Sequence, residues 1–476
     1  MTNATLERTD NEIIAELVER ARKAMKEVSG YTQEQANTLV KAAAWAIYNQ
    51  EHAETLAEIA VRDTGLGKYE DKVSKNRRKT LGALRDLLAP DAVTVGIIED
   101  NPEKGLIEIA KPVGVVAAVC PSTNPAATPA NKVMMALKSL NAVILSPSPK
   151  GATSCEEYVK YVHAELEKVG APKDLVQMVP APVSKSKTIE LIHQADFVAL
   201  TGSANNIKLA QTSGTPNVCV SAGNVVTIVD STADLKDAAH KIMVSKIFDN
   251  GTSCSSDNAV VLEDKIYDEM MSYLIAEGGY LCNADEKDAL QKAMWDPETG
   301  KRRGATTCKA PEILAAEAGF TNPEAIGAKF FMVEETGFGK DYPFSSEKLA
   351  VVLTVYRAKD FEDALDITEA VLNVKGRGHS CGLQTTSEEH IYEIGKRMEV
   401  CRIMINQSQA FGNGGNFNNC MNFTLSMGGG TWSGNNIKEN LNYKHFYQTT
   451  KVAKPIPEVV PDIADFLGDY WEKYGK

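Results

Sequence analysis

The residue best suited to covalent chemistry in this sequence is Cys254, which lies in the short polar segment Phe248–Ser256. Residues 238–249 have the apolar spacing of a helix and residues 258–263 are typical of a strand, so the segment between them is predicted to be a turn. A cysteine in such a turn is accessible, and backbone N–H groups directed at its sulfur would lower the thiol pKa below its free value of about 8.5. The alternative is a small buried apolar residue, as most free cysteines are. We expect Cys254 to be a nucleophile.

The composition limits the classes of protein and partner. A chain of 476 residues predicts two or three domains. The net charge of −12 and the scattered lysines and arginines exclude a nucleic-acid partner. Nine cysteines with no C-x-x-C pair, and no apolar N-terminal stretch, predict a cytoplasmic protein without disulfides or a metal site. The apolar runs are shorter than the roughly 20 residues that cross a bilayer, so no membrane is expected.

The order of elements predicts an α/β fold. Residues 10–90 have the periodicity of amphipathic helices, and residues 92–98 and 105–110 flank a polar turn that predicts a hairpin. From residue 113 to residue 230, apolar strands alternate with helices, which is typical of a parallel sheet with crossover helices. A second α/β segment has predicted strands near 258–262, 329–333, 351–355, 381–384 and 402–405. The Gly/Asn-rich stretches 411–420 and 427–436 are predicted to be functional loops rather than a disordered linker.

Seven motifs in chain order resemble those of the aldehyde dehydrogenase superfamily, and more closely those of its CoA-acylating branch. They are Pro121–Pro125, Leu145–Lys150, Thr201–Ser203, Ala222–Asn224, Asp249–Ser256, Phe344–Leu349 and Gly376–His379. The resemblance covers nearly the whole chain and implies a Rossmann-type cofactor domain (1–92 and 113–236) and an α/β catalytic domain (237–430). It also implies a small β oligomerisation flap (93–112 and 431–476), in a homodimer or homotetramer.

The resemblance also implies a mechanism. Cys254 would attack an aldehyde carbonyl to give a thiohemiacetal, which would lose hydride to a nicotinamide and become a thioester. Asn124 would donate a hydrogen bond to the developing oxyanion, with the Cys254 backbone N–H as second donor. Without the family match, Asn124 in Thr-Asn-Pro would be an ordinary turn residue.

One position departs from the hydrolytic members of the superfamily. Where those enzymes carry a glutamate that activates water, this chain has Val220 in Val220–Asn224. Because valine cannot accept a proton, the thioester would wait for another nucleophile, which in the acylating branch is the thiol of CoA. The alternative is that Val220 only continues a strand and another carboxylate serves as the base.

Cofactor contacts are implied at three places. The first place is the loop after the predicted strand 142–145, which contains Ser146, Ser148 and Lys150. This loop has no carboxylate, and Ser148 and Lys150 could bind a 2′-phosphate, so it favours NADP over NAD. A plain Ser-Pro turn is the alternative. Thr201, Gly202 and Ser203 match the turn beneath the cofactor, and Gly223 is also assigned to cofactor binding. Glu347 matches the carboxylate that holds the nicotinamide ribose, although most glutamates lie on the surface.

The remaining candidates are less specific. His379 could deprotonate the CoA thiol or only hold a loop. Arg302, Arg303 and Arg377, or the neutral donor Gln409, are candidates for binding an anionic end of the substrate.

Within the branch, the resemblance is strongest to enzymes that act on sulfoacetaldehyde. It implies conversion of sulfoacetaldehyde, CoA and NADP⁺ to sulfoacetyl-CoA and NADPH, or the reverse. Succinate semialdehyde or a short aliphatic aldehyde is the alternative substrate, and a catalytically idle scaffold of the same fold is the alternative function.

Overall fold

The computed structural model describes residues 8–220 and 222–476; residues 1–7 of the predicted cofactor domain, and Ser221, lie outside the described residues. The α-helices of the described residues are α1 (Asp10–Glu27), α2 (Gln33–Tyr48), α3 (Gln50–Thr64), α4 (Tyr69–Leu87), α5 (Ala127–Lys138), α6 (Ala152–Lys168), α7 (Lys185–Gln194), α8 (Ala204–Thr212), α9 (Leu235–Ile247), α10 (Tyr267–Ala276), α11 (Ala284–Met294), α12 (Pro311–Ala318), α13 (Pro323–Ile326), α14 (Phe361–Val374), α15 (Glu388–Arg397), α16 (Gln409–Gly412) and α17 (Ala464–Tyr474). The strands are β1 (Gly96–Asn101), β2 (Leu106–Pro112), β3 (Val115–Cys120), β4 (Ala142–Pro147), β5 (Val176–Met178), β6 (Phe197–Thr201), β7 (Asn217–Val220), β8 (Val225–Val229), β9 (Asp257–Glu263), β10 (Gly279–Leu281), β11 (Phe330–Glu334), β12 (Val352–Ala358), β13 (Cys381–Gln384), β14 (Ile403–Ile405) and β15 (Tyr447–Ala453).

A five-stranded parallel sheet forms the first half of the α/β fold. Its strand order is β5-β4-β3-β6-β7. Both β3 and β4 are buried along their whole length, as expected for strands with helices on both faces. The strand order reverses between β3 and β6, and ligands of such sheets bind outside the carboxyl ends of the strands at this reversal. The predicted parallel sheet with crossover helices is confirmed.

A seven-stranded parallel sheet forms the second half. Its order is β10-β11-β12-β9-β8-β13-β14. Buried apolar side chains pack against both of its faces, in two separate clusters. All five strands predicted for this segment are present, and the three-residue β10 is an additional strand at one edge. The seventh strand, β8, was predicted as part of the first α/β segment (113–230) but pairs with β9 and β13, because an apolar run identifies a strand without showing its neighbours.

An antiparallel sheet of order β1-β2-β15 lies outside the two parallel sheets. The hairpin was predicted with its first strand at 92–98, but that strand spans Gly96–Asn101. The pattern of apolar residues did not locate β1 correctly, because β1 is mostly exposed and polar. Its register with β2 also shifts between Ile97 and Glu99.

Part of the C-terminal segment 431–476, which was predicted to form the flap, is buried in a core. Ile437, Leu441, Tyr443 and Phe446 are buried in the core that surrounds the first sheet. Only from β15 onward does the chain run along the surface, and α17 has no buried residue. We therefore assign residues 437–446 to the core around the first sheet.

No helix within residues 8–220 and 222–476 is both long enough and apolar enough to cross a bilayer.

Candidate active site

A cavity of about 260 Å³ opens at the carboxyl ends of β3 and β6. It brings together Cys254, Asn124, Thr201, Gly202, Ser203 and Glu347, six of the predicted site residues. The rest of its wall consists of Lys75, Lys79, Pro121, Thr123, Val220, Ala222, Thr252, Ser253, Ser255, Arg302, Leu349, Ala410, Gly414, Thr424, Leu425 and Met427.

Cys254 lies in a turn between α9 and β9, where the sequence predicted it. A single 3₁₀ turn, Phe248–Gly251, follows α9. Within it, Asp249 and Asn250 have positive φ angles of 51°, a conformation that costs energy for residues other than glycine. Cys254 is partly exposed, whereas the neighbouring Ser255 is buried. The turn therefore presents the sulfur to the cavity.

Asp249 anchors this turn to helix α4. Its buried carboxylate accepts hydrogen bonds from Lys75 Nζ at 2.5 Å, from Lys72 Nζ at 3.1 Å and from Thr252 Oγ1 at 2.6 Å. Two lysines stabilise one buried anion, and their charges outweigh the effect of burial, so that the pKa of Asp249 is lowered. The charge cluster fixes the distance between α4 and the Cys254 turn.

The protonation state of Cys254 differs from the sequence prediction. Burial, followed by the charge of Glu347, raises the pKa of the Cys254 thiol to about 12. Arg402, the residue's own backbone N–H and Lys75 lower the pKa, but by less. The low-pKa thiolate inferred from the turn is therefore wrong for the protein without ligands, because desolvation exceeds the stabilisation by N–H groups.

Asn124 is held by a lysine on α4. Lys75 Nζ donates a hydrogen bond to Asn124 Oδ1 at 2.8 Å. Because an ammonium group can only donate, this contact makes the other carboxamide atom the nitrogen. Asn124 Nδ2 has one long contact, to Thr123 Oγ1 at 3.5 Å. The carboxamide thus keeps donor capacity for an oxygen in the cavity.

Apolar residues form the wall that follows β7. Val220, at the end of β7, and Ala222 both line the cavity. Gly223 does not line it, contrary to its assignment to cofactor binding. A Cβ atom on Gly223 would lie 2.1 Å from the Cys254 carbonyl oxygen, so the glycine is required for packing behind the Cys254 turn.

Glu347 is the only acidic residue among the described residues that line the cavity. It is 4% exposed. Its Oε2 lies 3.1 Å from Lys375 Nζ and 3.8 Å from Arg302 Nη1. Two cations thus hold a carboxylate at the wall of the cavity.

The loop after β4 contains the residues predicted to select the cofactor. Ser146 is buried on β4 and its hydroxyl pairs with Thr188 Oγ1 at 2.9 Å, so it does not face this loop's surface. Ser148 Oγ is buried and, within the described part of the chain, has no hydrogen-bond partner. Lys150 is exposed beside it. An orphaned hydroxyl and a free cation at the carboxyl end of a Rossmann strand fit the ribose end of a nicotinamide dinucleotide.

Thr201, Gly202 and Ser203 connect β6 to α8. Thr201 Oγ1 pairs with Ser426 Oγ at 2.6 Å, and Ser203 is the N-cap residue of α8 without a side-chain cap bond. A Cβ atom on Gly202 would make only ordinary contacts, the nearest at 3.6 Å, so the space there is open. These residues leave room for a ligand at the switch point of the first sheet.

His379 lies behind the Cys254 turn and does not line the cavity. Its Nδ1 pairs with Ser380 Oγ at 2.7 Å, while its buried Nε2 has no partner among the described residues. Burial, together with the charge of Arg402, lowers the pKa of His379 to about 3. The imidazole is therefore neutral, and it is a weaker base than a free histidine.

Of the residues predicted to bind the anionic end of a substrate, Arg302 lines the cavity, whereas Arg303, Arg377 and Gln409 do not. Arg303 is exposed, and Arg377 is exposed and paired with Glu399. Gln409 is fully buried, with its Nε2 bonded to Thr227 Oγ1 and its Oε1 accepting from Asn413 Nδ2 at 2.8 Å. Sequence spacing could not show this, because only the packing decides which charges face a cavity.

The cations that do line the cavity are Lys75, Lys79 and Arg302. Sequence analysis missed both lysines. Both lie on α4, four residues apart and so on one face of the helix, and Lys72 lies three residues before Lys75. That spacing was the available signal, since it places three lysines on the face that the helix buries.

Comparisons with known proteins agree with this geometry. The model of the aldehyde dehydrogenase family matches residues 2–289. A sulfoacetaldehyde dehydrogenase (acylating) from Cupriavidus necator is 49% identical over 465 residues, covering 98% of this chain and 94% of that protein. A second one, from Bilophila wadsworthia, is 40% identical and covers 97% and 99%. Among solved structures, an acetylating aldehyde dehydrogenase from Geobacillus thermoglucosidasius superposes with a TM-score of 0.90 at 32% identity, covering 96% of this chain and all of that one.

Proposed function

The chain belongs to the aldehyde dehydrogenase family, and on that premise we propose that it is a CoA-acylating aldehyde dehydrogenase that works through a thioester on Cys254. One observation carries the proposal. Cys254 and Asn124 share a cavity whose wall after β7 is apolar, at Val220 and Ala222. The one carboxylate that lines the cavity among the described residues, Glu347, is paired with two cations. Among the described residues that line the cavity, no unpaired carboxylate is therefore left to activate water beside Cys254.

The first half of the reaction forms the thioester. Cys254 Sγ adds to the aldehyde carbon, the thiol proton passes to solvent, and the carbonyl oxygen becomes an oxyanion that Asn124 Nδ2 and the Cys254 N–H stabilise. Bound nicotinamide supplies the acceptor for the hydride that the thiohemiacetal loses. Asn124 is fixed for this task by Lys75, so its donor costs little reorganisation when charge develops.

The second half transfers the acyl group. Hydrolysis would need a base within hydrogen-bond reach of a water, and Val220 cannot serve as one. The thiol of CoA then attacks the thioester carbonyl, the acyl group moves to the CoA sulfur, and Cys254 regains a proton. His379 would accept the CoA proton through its unpartnered Nε2.

NADP is the proposed cofactor. Ser148 Oγ lacks a partner and Lys150 is exposed at the end of β4, with no carboxylate in that loop. A 2′-phosphate would give the hydroxyl an acceptor and the ammonium group a counter-charge. Glu347 and the Thr201–Ser203 turn would hold the nicotinamide end.

Sulfoacetaldehyde is the proposed substrate, because two acylating sulfoacetaldehyde dehydrogenases match nearly the whole chain. Succinate semialdehyde is the alternative with the same charge, and a short aliphatic aldehyde is the alternative without charge. A homodimer or homotetramer is proposed because, among the described residues, the edges of the β1-β2-β15 sheet are unpaired. Nine free cysteines support a reducing cytoplasm.

The experiment follows the absorbance of reduced nicotinamide with sulfoacetaldehyde and NADP, with and without CoA, for the wild type and for Cys254→Ala. Sustained turnover only with CoA, and none in the variant, supports an acylating dehydrogenase. Sustained turnover without CoA would indicate a hydrolytic enzyme with an unrecognised base. No reaction with any short aldehyde would favour the idle scaffold.

A further inference from the structure

Lys79 lines the cavity and, among the described residues, has no acidic partner. We propose that Lys79 recognises the charged end of an anionic aldehyde while Cys254 attacks its other end. The proposal rests on the proposed function and adds to it the residue that selects the substrate. It replaces Arg303, Arg377 and Gln409, which lie away from the cavity.

The hydrogen bonds of Lys79 leave donors available. Its Nζ makes one protein hydrogen bond, to the Gly414 carbonyl oxygen at 2.7 Å. Phe423 lies 5.4 Å from Nζ, measured to the ring centroid. Within the described residues, no acidic group lies within salt-bridge distance of it. An ammonium group has three donors, so two remain for a ligand.

The other two cations of the cavity, Lys75 and Arg302, each have an acidic partner, Asp249 and Glu347 respectively. Lys75 Nζ donates to Asn124, Asp249 and Thr252, which uses its three hydrogens. Arg302 Nη1 donates to the Glu347 carbonyl oxygen at 3.2 Å and lies near its carboxylate. Among the described residues that line the cavity, Lys79 is therefore the cation without an acidic partner, and an entering anion would supply one.

The surroundings of Lys79 fit a short substrate with a terminal anion. Its part of the wall comes from α4 and from the 410–427 segment, including Ala410, Gly414 and Leu425. The residues proposed to hold the cofactor lie elsewhere, at the ends of β4 and β6 and at Glu347. Apolar groups beside Lys79 strengthen a charge pair with a bound anion, because little water screens it. Carboxylate and sulfonate share this chemistry, and the test distinguishes them.

The charge of Lys79 depends on pH in the range where the enzyme is assayed. Burial, with help from Arg78 and Lys75, lowers the pKa of Lys79 to about 7, while Cys254 and Asp86 act in the opposite direction. A lysine with a lowered pKa is protonated below that pKa and neutral above it. Binding of an anionic aldehyde should therefore weaken as the pH rises through about 7, whereas binding of a neutral aldehyde should not.

The test measures kcat/KM for sulfoacetaldehyde, succinate semialdehyde and propionaldehyde in the wild type, Lys79→Met, Lys79→Arg and Lys301→Met. Lys301 is an exposed lysine outside the cavity and serves as the matched control. Loss of a hydrogen bond to a charged group predicts a fall of roughly 10- to 100-fold for the anionic aldehydes in Lys79→Met. The value for propionaldehyde should change less than about threefold, within the scatter of neutral substitutions. The better of the two anionic aldehydes identifies the sulfonate or the carboxylate as the natural group.

The pH profile gives a readout that a structural role would not produce. In the wild type, the ratio of kcat/KM for sulfoacetaldehyde to that for propionaldehyde should fall above about pH 7. In Lys79→Arg the ratio should stay constant, because arginine keeps its charge. An unchanged ratio in Lys79→Met, an equal loss for all three aldehydes, or a wild-type preference for propionaldehyde would overturn the proposal and leave CoA-dependent acylation intact.

A binding assay tests the proposal even if no aldehyde is turned over. The probe is 2-hydroxyethanesulfonate, and the readout is the rate at which iodoacetamide alkylates Cys254. The sulfonate should slow alkylation in the wild type and in Lys301→Met but not in Lys79→Met. Equal protection in all three proteins would refute recognition by Lys79, whereas absence of any CoA-dependent reaction would refute the proposed function alone.

Discussion

Lys75 Nζ lies 2.8 Å from Asn124 Oδ1 and 2.5 Å from Asp249 Oδ2, so one ammonium group connects the oxyanion donor to the turn that carries Cys254. Lys75 is 4% exposed, which keeps this link out of water. The nucleophile and the donor therefore move together with α4. We infer that the position of Asn124 relative to the Cys254 sulfur is set by this buried charge cluster rather than by the loop sequence around either residue.

Replacing Asn124 by alanine should lower kcat by roughly 10²- to 10³-fold, the usual effect of losing one oxyanion donor. The measurement is steady-state turnover with sulfoacetaldehyde, NADP and CoA. Alkylation of Cys254 by iodoacetamide should remain within about twofold of the wild-type rate, since the thiol itself is not altered. A fall of less than about threefold in kcat would show that Asn124 is only a turn residue.

The raised pKa of Cys254 predicts a particular reactivity toward alkylating agents. Because the folded thiol titrates near pH 12, the rate of alkylation should rise continuously between about pH 6 and about pH 9, without a plateau. Glu347→Gln removes a negative charge that raises this pKa, so alkylation should become roughly threefold to tenfold faster. The matched control is Glu399→Gln, at an exposed ion pair with Arg377. Slower alkylation in Glu347→Gln would contradict the electrostatic account.

The proposed preference for NADP depends on the loop after β4. Ser148→Glu places a carboxylate where the 2′-phosphate would bind, and repulsion should raise the KM for NADP by roughly tenfold or more while that for NAD changes little. Lys150→Met should raise only the KM for NADP, by a smaller factor. The KM values for NADP and for NAD are obtained from initial rates of the wild type and of both variants. Parallel changes for NADP and NAD would show that this loop does not contact the phosphate.

His379 is proposed to act in the transfer to CoA and not in hydride transfer. In His379→Ala, the first turnover of NADP without CoA should keep its amplitude, whereas steady-state turnover with CoA should fall by roughly 100-fold, at the lower end of general-base effects because burial lowers the pKa of this histidine. The control is His240→Ala, an exposed histidine paired with Glu277. If the burst and the steady state decline in proportion, His379 only supports the Cys254 turn.

Much of the fold could be predicted because its parallel strands are continuous apolar runs. β3, β4 and β8 are buried at every residue, and such strands are recognisable by length and composition. β1 was misplaced because an exposed edge strand needs no apolar pattern. The burial of residues 437–446 could not be predicted for another reason. Ile437 and Phe446 are isolated apolar residues whose burial depends on the distant first sheet.

The candidate site was predictable where a motif fixes the residue, and unpredictable where packing decides. Cys254, Asn124 and Glu347 lie in motifs and meet in one cavity. The charge of Arg303 and of Arg377 gave no information about which way either side chain points, and both lie outside that cavity. The sequence also could not show that burial raises the pKa of the Cys254 thiol by more than the backbone N–H lowers it. That balance depends on the atoms packed around the sulfur.

The central claim is that the thioester on Cys254 is formed without CoA and released only by CoA. The most direct measurement is the intact mass of the enzyme after mixing with sulfoacetaldehyde and excess NADP, followed by peptide mapping. We predict one acyl group per chain, located on Cys254, that persists without CoA and disappears within the mixing time when CoA is added. Unmodified enzyme together with accumulating free acid would contradict the account, since it would mean that water, activated by some other base, reaches the thioester beside Val220.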